Sequence, residues 1–127
     1  MRKILTILII VLMTEGLRAS TFTGEDRNDT FTVHGRLSCY NGGSLLRIWI
    51  IGSTRILYVC EDTPVVGKVY QIYQADDSWF KKDIFADFTV KPLAPDIKGH
   101  MRPVQILAIK HVVITQDGKV IAEKDGL

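Results

Sequence analysis

Five residues capable of recognition chemistry fall at positions of equal parity within two short segments: His34, Arg36 and Tyr40, then Arg47 and Trp49. Arginine supplies a permanent charge and a fork of donors, and tyrosine and tryptophan supply flat stacking area. Together these types suit an anionic or sugar-like ligand. Asp87, between Phe85 and Phe88, adds a carboxylate that reads either as an edge charge or as an anchor for Arg36 or Arg47 across a sheet. A plainer reading stands beside the recognition one. Arg36 stacks on Trp49 across two strands, worth about 0.5–1 kcal/mol at an exposed site, while Tyr40 and Ile51 pack beneath residues 61–82.

Catalytic signatures are weak. His34, His100 and His111 show no metal-ligand spacing with one another or with a cysteine, so no metal and no cofactor is expected. Asp83 and Asp87 lie four residues, or roughly 13 Å, apart on one strand face, too far to share one bond as an acid–base pair. Asp76 and Asp77 read as turn residues. Asn41-Gly42-Gly43 precedes a strand rather than a helix, so it is a turn and not a phosphate cradle. No Gly-x-Ser-x-Gly elbow occurs. A small hydrolase built on Asp87 and His34 requires the two to meet in space.

These side chains are positioned by strands. Phe31 to Tyr40, Leu45 to Ile51 and Thr54 to Cys60 are rich in β-formers and separated by Asn41-Gly42-Gly43-Ser44 and Gly52-Ser53, which predicts an antiparallel meander. With Asn41–Ser44 as the loop, Arg36 opposes Trp49, Ser38 opposes Arg47 and His34 opposes Ile51. Val33, Gly35, Leu37 and Cys39 then share the other face with Leu46, Ile48 and Ile50. Glu61 to Lys82 is ambiguous: Pro64 and Gly67 read as breakers, Val69 to Gln74 as a strand or short helix, and Asp76-Asp77-Ser78 as a turn or a helix cap. Asp83 to Leu93 is a strand ended by Pro92 and Pro95, a loop runs to Pro103, and Val104 to Thr115 is a long strand. Gln116-Asp117-Gly118-Lys119 turns it back into a short strand from Val120 to Glu123. No long amphipathic helix is evident. The expected fold is mainly β, a small antiparallel barrel (OB-like) or sandwich of five to seven strands.

Cys39 and Cys60 are the only cysteines. A disulfide is attractive in an exported chain. However, a two-residue turn after Ile51 puts the thiols on opposite faces. A three-residue turn leaves them two strand spacings apart, roughly 9.5 Å, against the about 7 Å that a bridge tolerates between Cα atoms. A bulge, a tight curl or a reassigned strand would permit the bond; otherwise one thiol is buried and the other peripheral.

The N-terminus indicates the compartment. Arg2 and Lys3 precede an apolar run from Ile4 to Met13, and Leu17-Arg18-Ala19 offers a small residue for cleavage. This layout predicts a signal peptide over 1–19, with a retained membrane tether as its rival. The run is shorter than the about 20 residues of a membrane span, and the mature chain has no second one. Residues 20–30 are polar and read as a flexible arm, with Asn28-Asp29-Thr30 matching a glycosylation acceptor. Residues 31–127 form a single β domain, and about 108 mature residues suffice for one core. The full chain carries sixteen basic and fourteen acidic residues; without Arg2, Lys3, Arg18 and Glu15, thirteen of each remain. A neutral mature chain does not favour nucleic acid.

Phe31-Thr32-Val33-His34-Gly35-Arg36-Leu37, with Tyr40-Asn41-Gly42, Leu46-Arg47-Ile48-Trp49 and Asp87-Phe88-Thr89-Val90, resembles a group of small exported bacterial proteins without an assigned activity. The resemblance implies a periplasmic or secreted location and transfers no catalytic residue. The expected role is a non-enzymatic binding module. His34, Arg36, Tyr40, Arg47, Trp49 and Asp87 are its candidate site, and its partner is a small or polymeric anionic or sugar-like ligand or an envelope protein. A structural protein docking a partner chain through the Arg/Trp face is the alternative.

Overall fold

The structure, a computed structural model, describes residues 29–41, 45–60, 62–76 and 79–127. The expected leader over 1–19 and most of the expected arm lie outside the described residues. The elements run β1 (Phe31–Cys39), β2 (Leu46–Ile50), β3 (Ile56–Val59), α1 (Pro64–Gln74), β4 (Lys82–Pro92), β5 (Arg102–Gln116) and β6 (Lys119–Gly126). The fold is mainly β. Strand order is β3-β2-β1-β4-β5-β6, and a parallel pairing of β3 with β5 closes the first five strands into a ring. β6 hangs from β5 outside that ring.

The first hairpin adopts the register that its pattern predicts. Arg36 opposes Trp49, Leu37 opposes Ile48 and Ser38 opposes Arg47. Alternation places Leu37, Ile48, Ile84, Phe88, Val104 and Ile106 inside the ring, all fully buried. Gly35 permits the close approach of β1 to β2, because a Cβ there would lie 2.6 Å from Ile48 Cγ2 and 3.0 Å from the Trp49 carbonyl oxygen.

Three expectations are corrected. Pro64 and Gly67 do not break the segment after β3; they lie in an eleven-residue helix. Pro64 occupies its first turn, where a missing N–H costs nothing. Gly67 is tolerated because Val65, Val66, Val69 and Tyr73 form a buried stripe at helical spacing. Pro103 belongs to β5 rather than to the preceding loop: it is the second residue of the strand and opposes Tyr58 of β3, near a strand end where a missing N–H is tolerated. β6 continues to Gly126, three residues past the expected Glu123.

α1 lies across the end of the ring where β1 finishes and β4 begins. The Tyr73 hydroxyl donates toward the Leu37 and Lys82 carbonyls at 3.4 and 3.3 Å. Its ring stacks on Trp79 with centroids 5.6 Å apart and planes 8° from parallel. Buried Lys82 supplies the cation at the helix C-terminus: Nζ donates to the Ile72 carbonyl at 3.0 Å and pairs with Asp76 at 2.8 Å. Thr63 Oγ1, just before the helix, donates to the Ile106 carbonyl at 2.8 Å and ties the helix start to β5.

β5 carries two register shifts. Between Ala108 and Ile106 one extra residue, Leu107, bulges outward; between Val113 and Lys110 two residues oppose Ala86 alone. His111, in the second bulge, has φ +56°, a left-handed conformation uncommon outside glycine. Asp117 and Gly118 both have positive φ, as a two-residue turn of the I′ kind requires, and join β5 to β6. Among the described residues no helix is long and apolar enough to cross a membrane.

Candidate functional site

Strands β1 and β2, with Tyr40 just after β1, carry two guanidinium–aromatic pairs on the outer face of the ring. The Arg36 guanidinium lies 5.2 Å from the centre of the Trp49 ring, across the strand pair. Arg47 lies 4.3 Å from the centre of the Tyr40 ring. The β2–β3 turn fixes the indole: Trp49 Nε1 donates to the Ser53 carbonyl at 2.8 Å, and Ser53 Oγ donates to the Ile50 carbonyl at 2.7 Å. Gly52, with φ +88°, makes that turn possible. The two arginines, their two aromatic partners and Ile56 of β3 line an open depression of about 270 Å³. Arg36 Nε is buried and has no hydrogen-bond partner among the described residues. A buried N–H without a partner costs about 1–3 kcal/mol.

The next row of the same face holds a second constellation. β1 and β4 pair so that His34 opposes Asp87, and their side chains meet, with His34 Nδ1 2.9 Å from Asp87 Oδ1. His111 Nδ1 lies 2.8 Å from the other carboxylate oxygen. Since the carboxylate accepts, both imidazoles carry their proton on Nδ1 there. Hydrogen bonds from His111 and then His34 hold the Asp87 carboxyl below the usual carboxylate range. All three side chains are accessible: His34, Asp87 and His111 are 61%, 36% and 76% exposed.

The structure therefore brings all six expected site residues onto one outer face, in two adjoining groups. Asp87 joins His34 and His111 rather than standing as an edge charge or anchoring Arg36 or Arg47. His111 was legible only as a strand residue. The bulge that aims it at Asp87 arises from how β4 and β5 pair, and no local sequence signal announces it. Asp83 accepts from Ser38 Oγ at 2.6 Å, and Asp76 pairs with Lys82. Asp77 lies outside the described residues. No group of three or more His, Cys, Asp and Glu side chains that could hold a metal ion occurs among the described residues.

The cysteines are not joined. Cys39 is buried at the end of β1 and Cys60 is exposed beyond β3. The Cys60 amide bonds the Val104 carbonyl, so Cys60 follows the parallel pairing of β3 with β5, while Cys39 pairs with Leu46 of β2. Burial pushes the Cys39 thiol above its ordinary pKa. A hydrogen bond with Cys60 raises the Tyr58 hydroxyl.

With this geometry in hand, comparison with known proteins found no match to a family model, to a curated protein or to a solved structure.

Proposed function

We propose that this chain is an exported, non-enzymatic binding module that holds an anionic or sugar-like ligand on the outer face of β1 and β2. One observation carries the reading: Arg36 and Arg47, each steadied over an aromatic ring, line the same open depression. Stacking on Trp49 and Tyr40 fixes where both guanidinium groups lie along the depression, and preorganised guanidinium groups suit carboxylate-like partners. The closed ring in the order β1-β2-β3-β5-β4, with α1 between β3 and β4, supports reading the fold as an OB-like barrel. In such barrels this face is a common platform for oligosaccharides and oligonucleotides. The formal neutrality of the mature chain favours the sugar over the polynucleotide.

Titrating acidic oligosaccharides against the intrinsic fluorescence of the protein tests this, with Trp49→Phe separating the Trp49 signal from that of Trp79. Arg36→Ala combined with Arg47→Ala is expected to weaken binding by at least tenfold while the circular dichroism spectrum stays that of the parent. Equal binding by parent and double variant would remove the reading. For export, the mass of protein recovered from outside the cytoplasm is expected to correspond to a chain beginning at Ser20. Recovery of the full-length chain from the cytoplasm would count against it.

A hydrolytic reading stands second, favoured by the His34–Asp87 contact. Asp87 is the hydrogen-bond partner of both imidazoles, and no hydroxyl or thiol nucleophile bonds either ring among the described residues. Such an activity would have to use water. It is tested by hydrolysis of ester and glycoside substrates by the parent and by Asp87→Asn.

A further inference from the structure

The depression at Arg36 and Arg47 does not end at β3. Ile56, which forms its margin, also lines a second depression of about 540 Å³, walled by Thr54 and Arg55 on one side and by Lys98, Gly99, His100 and Met101 on the other. Ile56 opposes Trp49 across β2 and β3, so the two hollows adjoin on one outer face. The second lies between the β2–β3 turn and the β4–β5 loop.

That loop is held in place. Arg55 pairs with Asp96, which fastens the loop to the β2–β3 turn. Arg102 Nε donates to the Ala94 carbonyl at 2.9 Å, and the Leu93 amide to the Pro103 carbonyl at 2.9 Å. The His100 amide closes a turn onto the Ile97 carbonyl at 3.0 Å, and Gly99 sits inside that turn with φ +84°. Lys98 and His100 are thereby presented, exposed, at the far end of the run that starts at Arg47. Among the described residues, Asp96 is engaged by Arg55 and Asp83 by Ser38.

We propose that the two depressions form one basic groove, and that its ligand is a linear acidic oligosaccharide spanning both rather than a single acidic sugar. This rests on the binding reading above and extends it to ligand class and length. From β1 to β3 the groove crosses two strand spacings, roughly 9.5 Å, before the loop begins, which exceeds one sugar ring. Arg36 and Arg47 take carboxylates at one end. Ile56 and the edge of Trp49 offer apolar surface midway for the C–H face of a sugar. Lys98, with His100 beside it, takes an acidic group at the other end. Because the loop is pinned and the guanidinium groups are stacked, little ordering is left to do on binding.

The test compares galacturonate oligomers of one, three and six units by titration calorimetry, using the mature chain and two surface variants. For the parent, the hexamer is expected to bind at least tenfold more tightly than the monomer. Lys98→Ala with His100→Ala is expected to cut hexamer affinity about tenfold and leave monomer affinity unchanged. Arg36→Ala with Arg47→Ala is expected to weaken both. If monomer and hexamer bind the parent alike, or if the Lys98/His100 variant binds the hexamer as the parent does, the extended groove is wrong while the site at Arg36 and Arg47 stands. If no oligomer shows arginine-dependent binding, both fall. If a dT12 oligonucleotide binds more tightly than the hexamer at 150 mM salt, the ligand class is wrong.

Discussion

Asp87 joins one residue on each neighbouring strand: His34 on β1 and His111 on β5. Its carboxyl titrates below its ordinary value in the folded chain because both imidazoles hydrogen-bond the charged form. A carboxyl depressed by folding contributes stability that is fully present above the unfolded value of about 3.9. That contribution disappears as pH falls through the lower folded value. Asp87→Asn should therefore lower the urea midpoint at pH 7 by a small amount, small because these side chains are exposed and screened. The gap between variant and parent should close at the acid end of a pH series of urea melts. Gly35 is a residue of another kind, chosen by absence. Gly35→Ala places a methyl against Ile48 and the Trp49 backbone, so we expect a loss of about 1–3 kcal/mol in urea unfolding. A neutral outcome there would mean that β1 and β2 lie farther apart than described.

At the scale of elements, α1 and the β5 bulges decide what the strands can display. Tyr73 anchors α1 by stacking on Trp79 and reaching the Leu37 and Lys82 carbonyls. Tyr73→Ala should destabilise the chain by about 3–5 kcal/mol, read as a shift in the thermal or urea midpoint. Tyr73→Phe keeps the stack and should cost about 1 kcal/mol. The helix stripe of Val65, Val66, Val69 and Tyr73 was present in the sequence, yet Pro64 and Gly67 obscured it. A proline at the first turn and a glycine inside a helix carry the same letters as a turn. The β1–β2 hairpin was easier to read, because alternation over nine and five residues fixes which face each side chain takes. At the other end of the chain, Gly118→Ala puts a side chain on a residue with φ +83°. This should cost about 1–2 kcal/mol, measurable by urea unfolding.

For the whole molecule, ring closure through β3 and β5 separates the two thiols and joins the two depressions. Cys39 faces the interior and Cys60 the solvent. A thiol reagent should consequently titrate one cysteine in the native chain and a second only in denaturant. One rapid equivalent before unfolding and two after it is the expected count; none in denaturant without reductant would indicate a bridge. Closure also brings the β4–β5 loop, distant in sequence from Arg36, to the same outer face. This is why His100 read as an isolated loop residue and now stands beside the candidate site.

Alternation and turn chemistry alone determined the mainly β class, the first hairpin with its register, and the shared face of His34, Arg36, Arg47 and Trp49. These follow from interactions between residues close in the chain, where a period of two and a glycine-rich turn leave one arrangement. Tertiary structure decided the remainder: the helix at Pro64, the bulge that turns His111 toward Asp87, the separated thiols and the neighbourhood of Ile56. Each depends on pairing between segments far apart in sequence, where packing and backbone hydrogen bonding outweigh local preference.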